Sequence, residues 1–181
     1  MSDDLLQLTP NQLALIALAN EYCEALEQSS ESASARALAE RLLRLLTRVY
    51  VCALDLDPTS ETDEPYMAGA LTEAAYDQLR QTLAGIFGSD DVYLEVFEED
   101  MRYSDTPISA SLSEGLADLY QEFYDALHWL ADATTADQLS VLSVLRGHFA
   151  AYWGQTLVNL LRPLHALAMG GGEGDYFDNM N

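Results

Sequence analysis

The stretch MRYSDTPISASLSEGLADLYQE, residues 101–122, decides the fold class of this chain. Thr106 and Pro107 predict a helix start, because a threonine side chain caps free backbone N–H groups and a proline fits the first helical turn. Apolar residues then recur every three or four positions, which is the spacing of one helix face. We therefore predict a long helix from about Thr106 to about Asp132.

The same helical period continues on both sides of this stretch. Thr9, Pro10 and Gln12 form a capping-box pattern, and Thr135 with Gln138 repeats it near the end of the chain. Acidic residues alternate with apolar ones over 90–100, which we interpret as a short helix, with a strand as the alternative, and we see no β-hairpin signal. The other predicted helices span about 10–28, 35–54, 72–87 and 135–168.

Short connections between long amphipathic helices favour antiparallel neighbours. The predicted fold class is therefore all-α, an antiparallel helical bundle of five or six helices in a single domain. We place the bundle at residues 1–168 and a flexible acidic tail at residues 169–181.

The composition indicates a protein that needs neither disulfides nor a metal to fold. A chain of 181 residues with 49% hydrophobic residues can bury a full core. The two cysteines, Cys23 and Cys52, lack zinc-type spacing, so we expect reduced thiols. No basic leader and no apolar run of about 20 residues is present, so we expect a soluble, cytoplasmic protein.

The formal net charge is −22, and all eight basic residues are arginines. Such a charge repels phosphate and anionic lipid, so we predict no direct nucleic-acid binding and no membrane binding. A basic protein partner, or mimicry of nucleic acid, is compatible with this charge. The favoured explanation is compositional, because salt adaptation or a biased genome produces the same acidity.

Two rows of polar side chains follow the last two predicted helices when these are placed on a helical wheel. The linking turn, residues 133–136, is short, so the helices should be antiparallel and the rows should lie side by side. They are either solvated outer faces or a shared groove that binds a ligand or a partner helix. The rows consist of Glu114, Asp118, Gln121, Asp125 and His128 on the first helix and His148, Tyr152, Gln155, Asn159 and Arg162 on the second.

Residues 90–168 resemble an uncharacterised bacterial family of small acidic helical proteins, which is filed as a domain of unknown function. The resemblance is carried by 101–108, the pairs 110–111 and 113–114, 116–121, 152–155, Leu157, Asn159, Arg162 and His165. It implies a helical single-domain protein and supplies no catalytic residue.

No motif in the sequence predicts a catalytic, metal or cofactor site. Asp125 and His128 form one Asp-x-x-His element, whereas a bundle di-metal site needs two Glu-x-x-His elements and two further glutamates. The acidic loop over 55–66 lacks the glycine and the final glutamate of a calcium loop. No serine stands in a Gly-x-Ser-x-Gly context.

We therefore predict a non-enzymatic binding or regulatory protein that uses the paired polar rows. The alternatives are a small-molecule or metal-dependent enzyme that adds His128 and His148, and an acidic mimic that binds a basic or nucleic-acid-binding partner. Arg146 falls within the apolar stripe of its helix, so we also predict a carboxylate partner for it from an earlier helix. The candidate binding residues are Glu114, Asp118, Gln121, Tyr152, Gln155, Asn159 and Arg162.

Overall fold

The computed structural model describes residues 7–32, 34–56, 68–95 and 108–170. Most of the predicted acidic loop and the predicted tail beyond residue 170 lie outside these ranges. The described elements are α1 (Pro10–Glu27), α2 (Ala35–Leu54), α3 (Glu73–Phe87), β1 (Val92–Glu95), β2 (Ile108–Ser111), α4 (Leu112–Ala131), α5 (Thr135–His148), a π-helical segment (Phe149–Trp153) and α6 (Gly154–Met169).

The first three helices begin and end where the sequence predicts. The Thr9 side chain accepts a hydrogen bond from the Gln12 amide at 3.2 Å, and the Gln12 side chain accepts one from the Thr9 amide at 2.8 Å. Ser34 and Thr72 cap α2 and α3 in the same way. Gly88 ends α3 with a φ of 57°, a conformation that glycine adopts without strain. None of the described helices is long and apolar enough to cross a membrane.

Three buried aromatic side chains join α1, α4 and the π-helical segment into one core. Tyr22 meets Phe123 edge to face with ring centroids 5.4 Å apart, and Phe123 meets Trp153 at 5.3 Å. The Tyr22 hydroxyl donates to the Leu116 carbonyl, and the Trp153 indole N–H donates to the Leu145 carbonyl, both at 2.9 Å. Each aromatic pair adds about 0.5–1.5 kcal/mol to the stabilisation from burial. The prediction of one all-α bundle is confirmed.

The last two predicted helices are antiparallel neighbours, as expected from their short connection. Tyr152 contacts Asp118, and the earlier His148 contacts the later Glu122. The predicted single helix over 135–168 is interrupted by the π-helical segment, but the backbone stays right-handed helical at both of its ends.

In the described part of the segment predicted as a short helix over 90–100, residues 92–95 form a two-stranded antiparallel sheet with 108–111, and residues 96–100 lie outside the described ranges. Val92 pairs with Ser111, and Glu95 pairs with Ile108. The buried Asp91 carboxylate fixes this arrangement, since it accepts hydrogen bonds from the Ser113 amide at 2.7 Å and the Ser113 hydroxyl at 2.8 Å. The alternation of the apolar residues in this segment therefore reflects a strand.

The two predicted starts of the later helices are also corrected. Helix α4 begins at Leu112, because residues 108–111 belong to β2, and Ser111 caps it by accepting from the Glu114 amide at 3.2 Å. Thr106 and Pro107 lie outside the described residues. Helix α5 is capped by Thr134, which accepts from the Asp137 amide at 3.3 Å, one residue earlier than predicted.

Arg146 packs on an aromatic ring instead of pairing with a carboxylate. Its guanidinium carbon lies 5.3 Å from the centroid of the Phe149 ring. No Asp or Glu in the described ranges forms an ion pair with it, and its buried Nε has no hydrogen-bond partner there. The predicted salt bridge is not formed within the described residues, where a cation–π contact with Phe149 takes its place.

Both cysteines are free, as predicted. Burial, with the nearby charges of Glu27 and Glu24, raises the pKa of Cys23 to about 12. This thiol is therefore protonated and inert at neutral pH, because the thiolate is the reactive form.

Candidate functional site

Helix α4, the start of α6 and strand β1 enclose a groove of about 320 Å³, which we call the acidic groove. Antiparallel packing brings the polar rows of α4 and α6 to its two sides, and β1 closes one end. Glu95, Glu114 and Asp118 supply three carboxylates, and Tyr93 and Tyr152 supply two phenol rings.

Asp118 receives hydrogen bonds from two tyrosines on different elements. The Tyr76 hydroxyl, from α3, donates to Asp118 Oδ1 at 2.7 Å. The Tyr152 hydroxyl, from the π-helical segment, donates to Asp118 Oδ2 at 3.0 Å. These bonds hold the carboxylate in place between α3 and the π-helical segment.

Glu95 occupies the corresponding position at the β1 end of the groove. Its Oε1 accepts a hydrogen bond from the side-chain amide of Asn159 at 2.7 Å and a longer one from the Tyr93 hydroxyl at 3.3 Å. Gln155 donates to Asn159 Oδ1 at 2.7 Å, so the α6 amides form a chain that ends on Glu95. Glu114 lies between the two clusters, and its carboxylate has no hydrogen-bond or ion-pair partner among the described residues.

The tyrosines of the site are held in their protonated form. Burial, followed by the charge of Asp118 and its hydrogen bond, raises the pKa of Tyr152 to about 12. Burial and the Asp118 hydrogen bond raise the pKa of Tyr76 well above 10, and burial beside Glu95 does the same for Tyr93. The phenols therefore act as hydrogen-bond donors, and the carboxylates are the charged groups of the groove.

The structure brings together five of the seven candidate residues predicted from the sequence. Gln121 is exposed and does not line the groove, and Arg162 lines a neighbouring groove between β1 and the end of α6. The candidate residues that line the acidic groove are Glu114, Asp118, Tyr152, Gln155 and Asn159.

Three residues of the site were not predicted from the sequence. Tyr93 and Glu95 reach it from β1, and Tyr76 reaches it from α3. The signal for the first two was the alternation of residues over 92–95, which places every second side chain on one face of a strand. No sequence signal pairs Tyr76 with Asp118, because the contact depends on how α3 packs on α4.

Asp125, further along the polar row of α4, and the nearby Trp129 have a structural role. The Asp125 carboxylate accepts hydrogen bonds from the Ala70 and Leu71 amides at 2.7 and 2.8 Å, and the Trp129 indole donates to the Ala68 carbonyl at 3.1 Å. These contacts anchor the chain just before α3.

The histidines of the two rows lie outside the acidic groove. His148 Nδ1 lies 3.0 Å from Glu122 Oε2, and the His128 ring lies edge-on to Trp129. Within the described ranges, no group of three His, Cys, Asp or Glu residues is placed to hold a metal ion.

Comparison with known families identifies the chain. Residues 7–169 match the family described as Domain of unknown function (DUF5063). The chain belongs to the DUF5063 family. The resemblance that the sequence carried over residues 90–168 therefore extends over nearly the whole chain. None of the curated proteins compared with the chain matches it.

A solved structure shares the fold of this DUF5063 member. It is protein BF1032 from Bacteroides fragilis, with a TM-score of 0.76 and 24% sequence identity. The alignment covers 91% of this chain and 96% of that chain. This likeness extends over the whole DUF5063 region and agrees with a single helical domain.

The chemistry of the groove in this DUF5063 chain suits a cation. No basic side chain is among the twelve described residues that line it, so its carboxylates have no counter-charge from the described lining. Carboxylates accept charge-assisted hydrogen bonds from ammonium and guanidinium groups, and phenol rings attract the same cations through their faces.

Proposed function

We propose that this protein is a non-enzymatic binding module whose acidic groove takes a cationic side chain of a basic protein partner. The observation that carries the proposal is the set of three carboxylates, Glu95, Glu114 and Asp118, in a groove whose described lining holds no basic residue.

The size and charge of the groove support a single cationic group as its occupant. Its volume of about 320 Å³ is at the lower end of ligand sites, which hold about 300–1,000 Å³. The net charge of −22 would attract a basic partner from a distance, because a surface field raises association rates. Glu114, which has no partner in the described chain, is the carboxylate best placed to meet an incoming guanidinium.

The geometry favours binding over acid–base catalysis. A general acid or base must reach the reacting group within hydrogen-bond distance. His128 and His148, which the enzyme alternative requires, do not line the acidic groove, and His148 is held by Glu122 at 3.0 Å.

Binding of a fluorescent arginine-rich peptide to the full chain tests the proposal. We expect Glu114→Gln/Asp118→Asn to raise the dissociation constant about tenfold, which is a loss of about 1.4 kcal/mol of binding free energy. The matched control is Glu21→Gln/Glu31→Gln, which removes the same charge from two exposed residues that do not line the groove. It should change the affinity little at moderate salt, because distant exposed charges are screened.

Two outcomes would contradict the proposal. If both double variants weaken binding equally, the peptide responds to the overall charge and not to the groove. If the wild-type chain does not bind the peptide at all, the groove does not take a guanidinium from a basic partner.

A further inference from the structure

A second groove, of about 600 Å³, lies between β1 and the C-terminal half of α6. We call it the apolar groove. Its wall on the β1 side exposes two large aliphatic side chains, Val92 at 62% and Leu94 at 59%. Pro163 and Leu167 form the wall on the α6 side. Two exposed aliphatic side chains on one wall of a concave surface, opposite half-buried apolar side chains on the other wall, are typical of a docking site.

The charged residues in the lining of the apolar groove are Arg162 and Asp90. Arg162 is exposed and forms no ion pair with any carboxylate in the described part of the chain. Arg41, Arg44 and Arg48 also form no ion pair in the described part of the chain, but Arg162 is the basic residue in the described lining of this groove. It supplies a positive charge at the edge of an apolar surface, which suits an occupant with both aromatic and acidic side chains.

The chain itself carries such a segment, and that segment starts at the groove. Gly170 is the last described residue and also lines the apolar groove. The following residues, 171–181, read GGEGDYFDNMN, so an aromatic pair, Tyr176 and Phe177, is flanked by two aspartates. Phe177 lies seven positions after Gly170, a distance of at most about 25 Å in an extended chain, which is ample for a groove whose wall includes Gly170.

We propose that residues 175–178 occupy the apolar groove of the same chain. Tyr176 and Phe177 pack on Val92 and Leu94, and an adjacent aspartate pairs with Arg162. The acidic flanks lie on the Arg162 side, because Asp90 would repel them. Tethering by the three glycines that begin at Gly170 gives the segment an effective concentration of the order of millimolar. Weak contacts are therefore enough to keep the segment bound in the groove. This occupancy does not depend on the proposed function of the acidic groove.

A spin label on the tail of the full chain tests this proposal. Asn179→Cys in a Cys52→Ser background gives one accessible thiol for a nitroxide, because Cys23 is buried. In a nitrogen-15-enriched sample, we expect loss of the Val92 and Leu94 amide signals, while the Arg44 signal on α2 is retained.

The matched control separates docking from tethering. Tyr176→Ala/Phe177→Ala keeps the label and the tether but removes the aromatic contacts, so the Val92 and Leu94 signals should return. Arg162→Gln should restore them in part. Equal signal loss in the wild-type and the Tyr176→Ala/Phe177→Ala chains, or no loss in either, would overturn the proposal.

A mixed sample identifies the source of the tail. A spin-labelled chain at natural isotope abundance is mixed with an enriched chain that carries no label. Retained Val92 and Leu94 signals support docking within one chain, and their loss would mean that a second copy supplies the tail, which overturns the proposal as stated.

Discussion

The hydrogen bonds of the acidic groove connect tyrosine hydroxyls to carboxylates at two separate points. Asp118 is bonded by Tyr76 and Tyr152, and Glu95 is bonded by Tyr93. A neutral phenol can donate such a bond, whereas a phenolate beside a carboxylate would repel it. The groove therefore depends on these side chains keeping their protons.

Alkaline pH should destabilise the protein for this reason. The pKa of Tyr152 is raised from 10 to about 12 in the folded state, so its contribution to the free energy of unfolding is complete below pH 10. As the pH rises from 10 to 12, the unfolded chain loses the proton first, and the contribution disappears. Urea unfolding across this pH range measures the decrease.

Near-ultraviolet absorbance of tyrosinate provides the control for this prediction. At about pH 11, the folded chain should form fewer tyrosinates than the urea-unfolded chain, whose tyrosines titrate near pH 10. Asp118→Asn should move tyrosinate formation in the folded protein to lower pH, because the Asp118 charge helps to raise the pKa of Tyr76 and Tyr152. Identical titration of the folded and unfolded chains would contradict the prediction.

At the scale of single elements, local signals located most helices but not the sheet. The Thr9 capping box marks the start of α1, and Thr72 and Gly88 mark the two ends of α3. Each signal involves residues that are close together in the sequence, so it can be recognised locally. The strands are four residues each, and their partners are distant in sequence, with Val92 opposite Ser111. Pairing of this kind depends on tertiary packing and not on local propensity.

The same distinction explains which parts of the acidic groove could be predicted. The helical period places Glu114 and Asp118 on one face of α4 and Gln155 and Asn159 on one face of α6, and the short turn makes the two faces meet. The contribution of Glu95 was missed because β1 was interpreted as a helix. The Ser111 to Glu114 spacing is the local signal at the observed start of α4, whereas Thr106 with Pro107 predicted an earlier start.

The π-helical segment depends on a glycine at its end. A Cβ atom added at Gly154 would lie 2.5 Å from the Phe149 carbonyl oxygen and 2.9 Å from the Phe149 ring. We therefore expect Gly154→Ala to lower the free energy of unfolding by about 1–3 kcal/mol, as for other overpacked core sites. Urea denaturation followed by far-ultraviolet circular dichroism measures the change.

The matched control for this substitution is Gly85→Ala in α3. A Cβ atom at Gly85 meets no heavy atom within 4 Å, so the alanine should stabilise the helix by about 0.5–1 kcal/mol. If Gly154→Ala is as stable as Gly85→Ala, the close approach at Phe149 does not constrain the π-helical segment.

At the scale of the whole molecule, repulsion between acidic groups outweighs attraction between opposite charges. The net charge is −22, while the described residues form three ion pairs. Two of these, Arg36 with Glu40 and Arg80 with Asp77, join partners that are both at least 36% exposed, and such pairs typically contribute about 0–1 kcal/mol each.

Added salt should therefore stabilise the fold. Screening weakens the repulsion in the compact state more than it weakens the few attractive pairs. We expect the urea midpoint to rise when sodium chloride is increased from about 0.05 M to about 0.5 M, where the screening length falls well below 10 Å. Guanidinium chloride is the control, because this denaturant already screens charge and its midpoint should respond less. A urea midpoint that falls with salt would show that attractive pairs dominate.

Strand β1 is a wall of both grooves, with Glu95 in the acidic groove and Val92 in the apolar groove. The proposed occupants would therefore contact alternate side chains of a single four-residue strand. Thermodynamic reciprocity then requires that, if a docked tail changes the affinity for a cation by some factor, a bound cation changes tail docking by the same factor. If such a coupling exists, the two surfaces act as one system, and a substitution in β1 is then expected to change binding at both of them.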